Sequence, residues 1–262
     1  MNNDKVQAGW HTILLIELRR IWLGWGGPLF LFAFSLSFSI YVFALATDPE
    51  IHEISQHQLI NQTIKITIFV GMIVVLILGA NSFSGERDQN TLESLLLTPV
   101  PRWQLAIGKF LAPISLWLGM IMISIPYIIL VGKGTEVIAE SLILLIISGT
   151  LLIVISAGIG IFASGLSPTN LVSILTAVGI VLLLALPILL PSSVKELPIL
   201  AMILATNPIT AVARYQSSVI GGTDWATELE LLISPLISAA LAIVLVPYVL
   251  NKKLSLLGGF RA

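Results

Sequence analysis

An all-α, polytopic membrane protein is the fold class this sequence predicts, and three observations predict it. Charged residues make up only 10% of the 262 residues, against roughly 25% in a soluble domain. Hydrophobic residues make up 56%, and the mean hydropathy is +1.01. The apolar residues also form continuous runs of about 20, the length a helix needs to cross a bilayer. Every backbone donor and acceptor in lipid must be satisfied within the protein, which leaves helices or closed barrels. Continuous rather than alternating runs select helices. Too few residues lie outside the runs for a separate soluble domain, so residues 1–262 are read as one domain.

The elements follow in order. Residues 6–25 (VQAGWHTILLIELRRIWLGW) combine Ile13, Ile16, Ile21 and three tryptophans with Glu17, Arg19 and Arg20. Charge at that density opposes full burial, so an interfacial helix with indoles at headgroup depth is expected. Gly26, Gly27 and Pro28 end it, and residues 29–46, uncharged and rich in Phe, form span one. That span comes too late and is too long for a signal-peptide core, so it is expected to remain as an anchor. Residues 47–61 are a polar loop with Asp48, Glu50 and Glu53 and no Lys or Arg. Span two covers residues 62–83, with Lys65 near its start, where a long stem lets the ammonium reach the interface.

Span three covers residues 111–131 and contains Pro113 and Pro126, expected sites of a kink or local break. A turn at 132–135 leads to span four, residues 137–163, in which Gly149, Ser156, Ala157, Gly158 and Gly160 form a small-residue face. Such a face lets helices approach closely. The connector at 164–170 (SGLSPTN) carries turn residues, and span five covers residues 171–190. Residues 191–228 hold Pro191, Pro198 and Pro208 and two apolar pieces, 198–206 and 208–220. Each piece is too short to span and too apolar for a solvated loop, which predicts two short re-entrant or interfacial helices. Span six covers residues 229–250.

Six spans place both termini on one side, together with residues 84–109. That side carries Lys5, Arg19, Arg20, Arg87, Arg102, Lys109, Lys252, Lys253 and Arg261, while Lys65, Lys133, Lys195 and Arg214 fall opposite. The excess of basic residues predicts cytoplasmic termini and an extracytoplasmic 191–228 segment.

Residues 84–109 (SGERDQNTLESLLLTPVPRWQLAIGK) are the longest polar run, with Glu86, Arg87, Asp88, Glu93, Arg102 and Lys109 between two apolar spans. Leu92, Leu95 and Leu96 fall at i, i+3 and i+4 and share one helical face, and Pro99 and Pro101 close the stretch. A short amphipathic helix between two spans is a handle for a soluble partner. The alternative is an ordinary loop, in which Glu86 and Arg102 only tie the segment to its own spans.

The run from Glu86 to Lys109 resembles the signature of permease subunits of type-2 ATP-binding-cassette (ABC) exporters. That pattern is an acidic residue, Gly-Thr-Leu-Glu, two leucines, Thr-Pro-Val, a basic residue and Gly-Lys. Here it reads Glu86, Asn90-Thr91-Leu92-Glu93, Leu95 and Leu96, Thr98-Pro99-Val100, Arg102 and Gly108-Lys109. Asn90 replaces the usual Gly, and Asn tolerates a left-handed backbone better than most residues. Ile16-Glu17-Leu18-Arg19-Arg20 resembles the family's interfacial helix, and Asn207-Pro208-Ile209-Thr210 through Arg214 its segment before the last span. The resemblance implies that residues 91–98 are a coupling helix seated in a groove of an ATPase subunit. Leu92, Leu95 or Leu96 would anchor it, with Glu86, Arg87, Thr91, Glu93, Thr98 and Pro99 in the same contact. Arg102 and Lys109 would brace it. It implies a second permease subunit, identical or related, ATP and Mg on the partner rather than on this chain, and the plasma (inner) membrane of a prokaryote.

Other chemistries find little support. The stretch VGKGTE around Lys133 lacks the Gly required at Tyr127 and the Ser or Thr required at Gly134 for a phosphate loop. His52, Glu53 and His57 do not stack on one helical turn, which argues against a metal site. His11 lies in the interfacial helix. The absence of Cys excludes thiol chemistry, the net charge of −1 gives no basis for nucleic-acid binding, and no charge sits at mid-membrane, where ion-driven carriers usually keep at least one. Two functions are therefore expected in order: an export permease of undetermined cargo, then a non-transporting membrane scaffold that recruits a cytoplasmic partner.

Overall fold

The computed structural model describes residues 9–47, 55–97, 100–189, 203–204 and 206–253. Among them every regular element is helical. Helix α1 (Gly9–Trp22) buries Ile13 and Ile21 and leaves Leu15, Ile16 and Trp22 exposed. Helix α2 (Gly26–Thr47) begins at the Gly-Gly-Pro triplet rather than after it, since Pro is tolerated in a first helical turn. Helix α3 (Gln56–Asp88) starts at Ser55, whose hydroxyl accepts from the Gln58 amide at 3.4 Å.

At 33 residues α3 is about 50 Å long, well beyond the roughly 30 Å hydrocarbon core of a bilayer. Its last turns therefore carry the first part of the polar segment. A five-residue helix α4 (Leu92–Leu96) follows, and helix α5 (Arg102–Val131) takes the rest of the segment as its own first turns. Most of the described part of the polar run thus consists of two span ends with one short helix between them. Pro113 and Pro126 lie inside an unbroken α5. Helix α5 packs on α3 and α6 (Ile138–Leu166); Pro113 is buried, while Pro126 is exposed.

Helix α6 is apolar on all sides and, with α3, is the most buried of the long helices. Helix α7 (Asn170–Ala185) is capped by Thr169, whose hydroxyl accepts from Val172, and runs into a 3-10 turn at Leu186–Leu189. Helix α8 (Pro208–Ile220) begins where Asn207 Oδ1 accepts from the amides of Ile209 and Thr210, at 2.9 and 3.3 Å. With 13 residues it is about 20 Å long. It does not span, and instead packs against α3, α6 and α7 and against the last helix α9 (Ile233–Lys253). Most of the other predicted short helix, residues 198–206, lies outside the described residues.

Among the described residues, five helices are long and apolar enough to cross a membrane: the 26–45, 56–88, 102–131, 138–166 and 170–188 stretches. In the region predicted as span six, the apolar stretch is the shorter Leu229–Val244.

The core is built around two close approaches. Trp117 of α5 fits between α3 and α6 because both neighbours are glycine. A Cβ at Gly71 would lie 2.7 Å from the indole, and one at Gly149 would lie 2.6 Å from it. The indole N–H donates to Thr150 Oγ1 at 3.1 Å. Further along, α3 and α6 cross at Gly79 and Gly160, backbone against backbone. The small-residue run of α6 also meets α9 at Gly158, where a Cβ would lie 2.6 Å from Ala242 Cβ.

Candidate functional site

The turn from α3 to α4 is set by one residue in an uncommon conformation. Asn90 has φ 56°, and no other non-glycine among the described residues has positive φ. Left-handed Asn90 lets the Thr91 amide reach back to the Glu86 carbonyl at 2.9 Å and its own amide reach Arg87 at 3.1 Å. This is the Schellman arrangement, in which carbonyls orphaned at a helix end are satisfied by the reversed chain. Thr91 Oγ1 adds a bond to the same Glu86 carbonyl at 3.2 Å. Exposed Asn90 packs against little, so conformation alone decides its substitutions. Asn90→Gly is expected to leave the melting temperature unchanged or raised. Asn90→Val should lower stability by about 1–2 kcal/mol, measured by thermal unfolding in detergent. Equal melting of the two variants would overturn the requirement for a left-handed turn.

The α4 side chains divide. Leu92 is 3% exposed and belongs to the chain's own core. Thr91, Glu93, Ser94 and Leu97 are exposed and Leu95 is half-buried. Ser94 Oγ donates to the Thr91 carbonyl at 2.7 Å, tightening the turn. Leu96 lies in α4, while Thr98 and Pro99 fall outside the described residues. Periodicity puts the three leucines on one face; the fold turns Leu92 inward and leaves Leu95 at the edge. The outward surface is therefore more polar than the spacing suggests.

Both flanks of α4 are clamped. On the α3 side, the Arg87 guanidinium donates to the Ser167 carbonyl, and Asp88 Oδ2 accepts from the Asn170 amide at 3.0 Å. These two bonds tie the end of α3 to the α6–α7 connection. One turn earlier the amides of Phe83 and Ser84 donate to Ser164 Oγ of α6 at 2.8 and 2.9 Å. The Ala80 carbonyl accepts the hydroxyls of Ser84 and of Ser173 in α7, at 2.5 and 2.8 Å. Hydroxyls buried in apolar surroundings must find partners, and here those partners lock three helices together.

On the α5 side, Arg102 is half-buried in the first turn, and Lys109 is the centre of a buried charge cluster. Lys109 is 1% exposed. Its Nζ lies 2.5 Å from Glu17 Oε1 of α1 and 2.6 Å from Glu86 Oε1 of α3. Arg20 approaches the same Glu86 oxygen at 3.9 Å from the solvent side. The ammonium also stands 5.5 Å from the centre of the Phe83 ring, within range of a cation–π attraction. Glu86 thus sits inside the protein rather than on the outward face of the segment. Gly108 makes the cluster possible: a Cβ there would lie 2.8 Å from Ile13 Cγ2, so its absence lets α1 lie down on α5. Trp22 Nε1, donating to Ser115 Oγ at 3.0 Å, holds the far end of α1 on α5.

Glu17 and Arg20 are the residues that sequence reasoning did not assign to this site. Their one signal is the presence of charge in a helix otherwise suited to lipid. Nothing local points to a partner 92 positions away.

With this geometry in view, the family model described as ABC-2 family transporter protein matches residues 43–253. The match takes in α3 through α9 and most of the apolar helices. A comparison with curated proteins returns no match.

Proposed function

The chain belongs to the ABC-2 family of transporter proteins, and from that premise we propose that it is the membrane half of an ATP-driven exporter. It is a multi-pass transport permease whose family implies association with an ABC ATP-binding subunit. In our reading ATP and Mg are bound and consumed on that separate subunit, in the cytoplasm. Two permease chains, identical or related, pack around the path in the plasma membrane of a prokaryote. Each contributes six spans, with α9 as the sixth, and both termini are cytoplasmic.

The observation that carries the coupling role is the mounting of α4. It is joined to α3 by a capped turn and lies against the core through Leu92, while Thr91, Glu93 and Ser94 face outward. On the α3 side, a push on that surface meets a hydrogen-bonded turn rather than a slack segment. It passes to α3 and α5, and through Lys109 to α1. Closure of the ATPase pair then moves packed helices as bodies and shifts the bundle between two access states. Glu93, Thr91 and Leu95 are the contact residues the geometry favours; Leu96, Thr98 and Pro99 belong to the proposed contact through the family resemblance alone. Glu86, Arg87, Leu92, Arg102 and Lys109 hold the mount.

Coupling is tested by Glu93→Lys combined with Leu95→Asp in a permease co-expressed with its ATPase subunit. The variant is expected to remain monodisperse and to lose assembly-dependent stimulation of ATP hydrolysis. Unchanged stimulation would sink the coupling role. Stable partner binding that ignores nucleotide, without ATP-dependent flux in vesicles, would favour a recruiting scaffold instead.

A further inference from the structure

At the end of the bundle remote from α4, a cavity of about 650 Å³ opens between α3, α7 and α8, with α6 behind it. Phe69, Met72, Leu182 and Val212 are among the side chains that make most of its wall apolar. That volume and lining are those of a small-molecule site. Lys65 lies on its wall and also on that of an adjoining cavity of about 760 Å³, which Arg214, Ser217 and Glu228 help to line. The apolar chamber and the polar chamber therefore share the Lys65 ammonium.

Among the described residues, nothing of opposite charge pairs with that ammonium. Lys65 is half-buried, and its Nζ donates to Ser217 Oγ at 2.6 Å. Ser217 gives its own proton to the Ala213 carbonyl at 2.8 Å and also accepts from Asn61 at 3.0 Å. Among the described residues no carboxylate lies within 4.0 Å of Lys65 or Arg214. A hydroxyl satisfies a hydrogen bond but leaves the charge uncompensated, and charge withdrawn from water calls for a counter-ion. Among the described residues that line the polar chamber, two cations stand against the one carboxylate of Glu228, an excess of positive charge.

We propose that these joined cavities bind an anionic amphiphile: one acyl-type chain in the chamber between α3 and α7, and a phosphate or carboxylate head at Lys65 and Arg214. The chain is selected by the apolar wall, and the head by a cation with no carboxylate partner among the described residues. On the transport reading above, this is also the chemical class of the cargo. Binding is measured on the permease alone, so its failure leaves the coupling test untouched.

The probes are palmitoyl-lysophosphatidylglycerol, palmitoyl-lysophosphatidylcholine and inorganic phosphate, each titrated against delipidated full-length permease and read by native mass spectrometry. The anionic lysolipid is expected to bind at least about tenfold more tightly than the zwitterionic one, and phosphate alone not to compete. Lys65→Met with Arg214→Gln should bring the two lysolipids to equal affinity. Leu182→Trp, which fills the chain end and leaves both cations in place, should weaken both by a similar factor. Equal binding of the two lysolipids to the native chain reduces the cavity to a lipid-coated groove and overturns the proposal. Competition by phosphate alone, or a tenfold preference that survives the double substitution, also overturns it.

Discussion

Lys109→Met is expected to cost the fold about 3–5 kcal/mol, the penalty for removing one partner of a buried ion pair. The substitution roughly keeps the volume and the apolar stem, so packing changes little. What changes is that Glu17 and Glu86 lose the cation between them, at side-chain exposures of 15% and 12%. Arg20, 3.9 Å from Glu86 and itself 45% exposed, offers one of them weak relief. The expected result is a lower melting temperature in detergent, with α1 the first element to become accessible to protease. A triple variant, Glu17→Gln, Glu86→Gln and Lys109→Met, removes the charges together and is expected to recover much of the loss. Neutral replacement of a whole buried ion cluster is often close to neutral in energy. If Lys109→Met melts with the native protein, the cluster does not hold α1 in place.

Gly160→Leu is the second large effect. A Cβ at Gly160 would stand 2.5 Å from the Leu76 carbonyl and 2.9 Å from the Ala80 amide, both backbone atoms of α3. A side-chain tip can rotate away, but a helix backbone moves only if the two helices part. Parting α3 from α6 would open the crossing at Gly79, where a Cβ already faces Ala157 O at 3.2 Å. It would also strain the bonds from Phe83 and Ser84 to Ser164 a turn later. Overpacking of this kind costs about 1–3 kcal/mol, occasionally more, and rigid atoms on both sides place Gly160 at the upper end. Gly179→Leu is the control, because a Cβ there meets nothing within 4 Å. Helix propensity favours Leu over Gly at both positions by somewhat less than the roughly 0.8–1.0 kcal/mol that separates Gly from Ala. Gly179→Leu should therefore match or exceed the native melting temperature while Gly160→Leu falls well below it. Equal behaviour of the two would remove the steric account.

The parts of the fold that were legible in the sequence are those decided by local rules. Apolar runs mark helices because lipid leaves the backbone no other partners. Asn207-Pro208 marks the start of α8 because an Asn side chain can cap and Pro costs nothing in the first turn. Asn90 was readable as the turn residue after span two, since few others accept φ near 56°. The small residues of α6 were readable as a contact face, and three neighbours approach there. The helices that carry spans two and three extend past the predicted spans for a simple reason. Polar residues at 84–88 and 102–109 interrupt the hydropathy, but hydrogen bonding carries each helix through them.

The candidate site divides the same way. By itself the sequence determined a helical membrane protein with one short ordered insert between two spans, because composition and periodicity are properties of a single segment and its solvent. Only the tertiary structure decided which face of that insert is outward, and that Lys109 and Glu86 are internal struts. It also decided that Glu17 of α1 completes them across 92 positions. Burial and pairing depend on what other segments bring to the same place. For a charge in a nearly uncharged chain, the nearest partner in space decides whether it faces a neighbour protein or holds its own helices together.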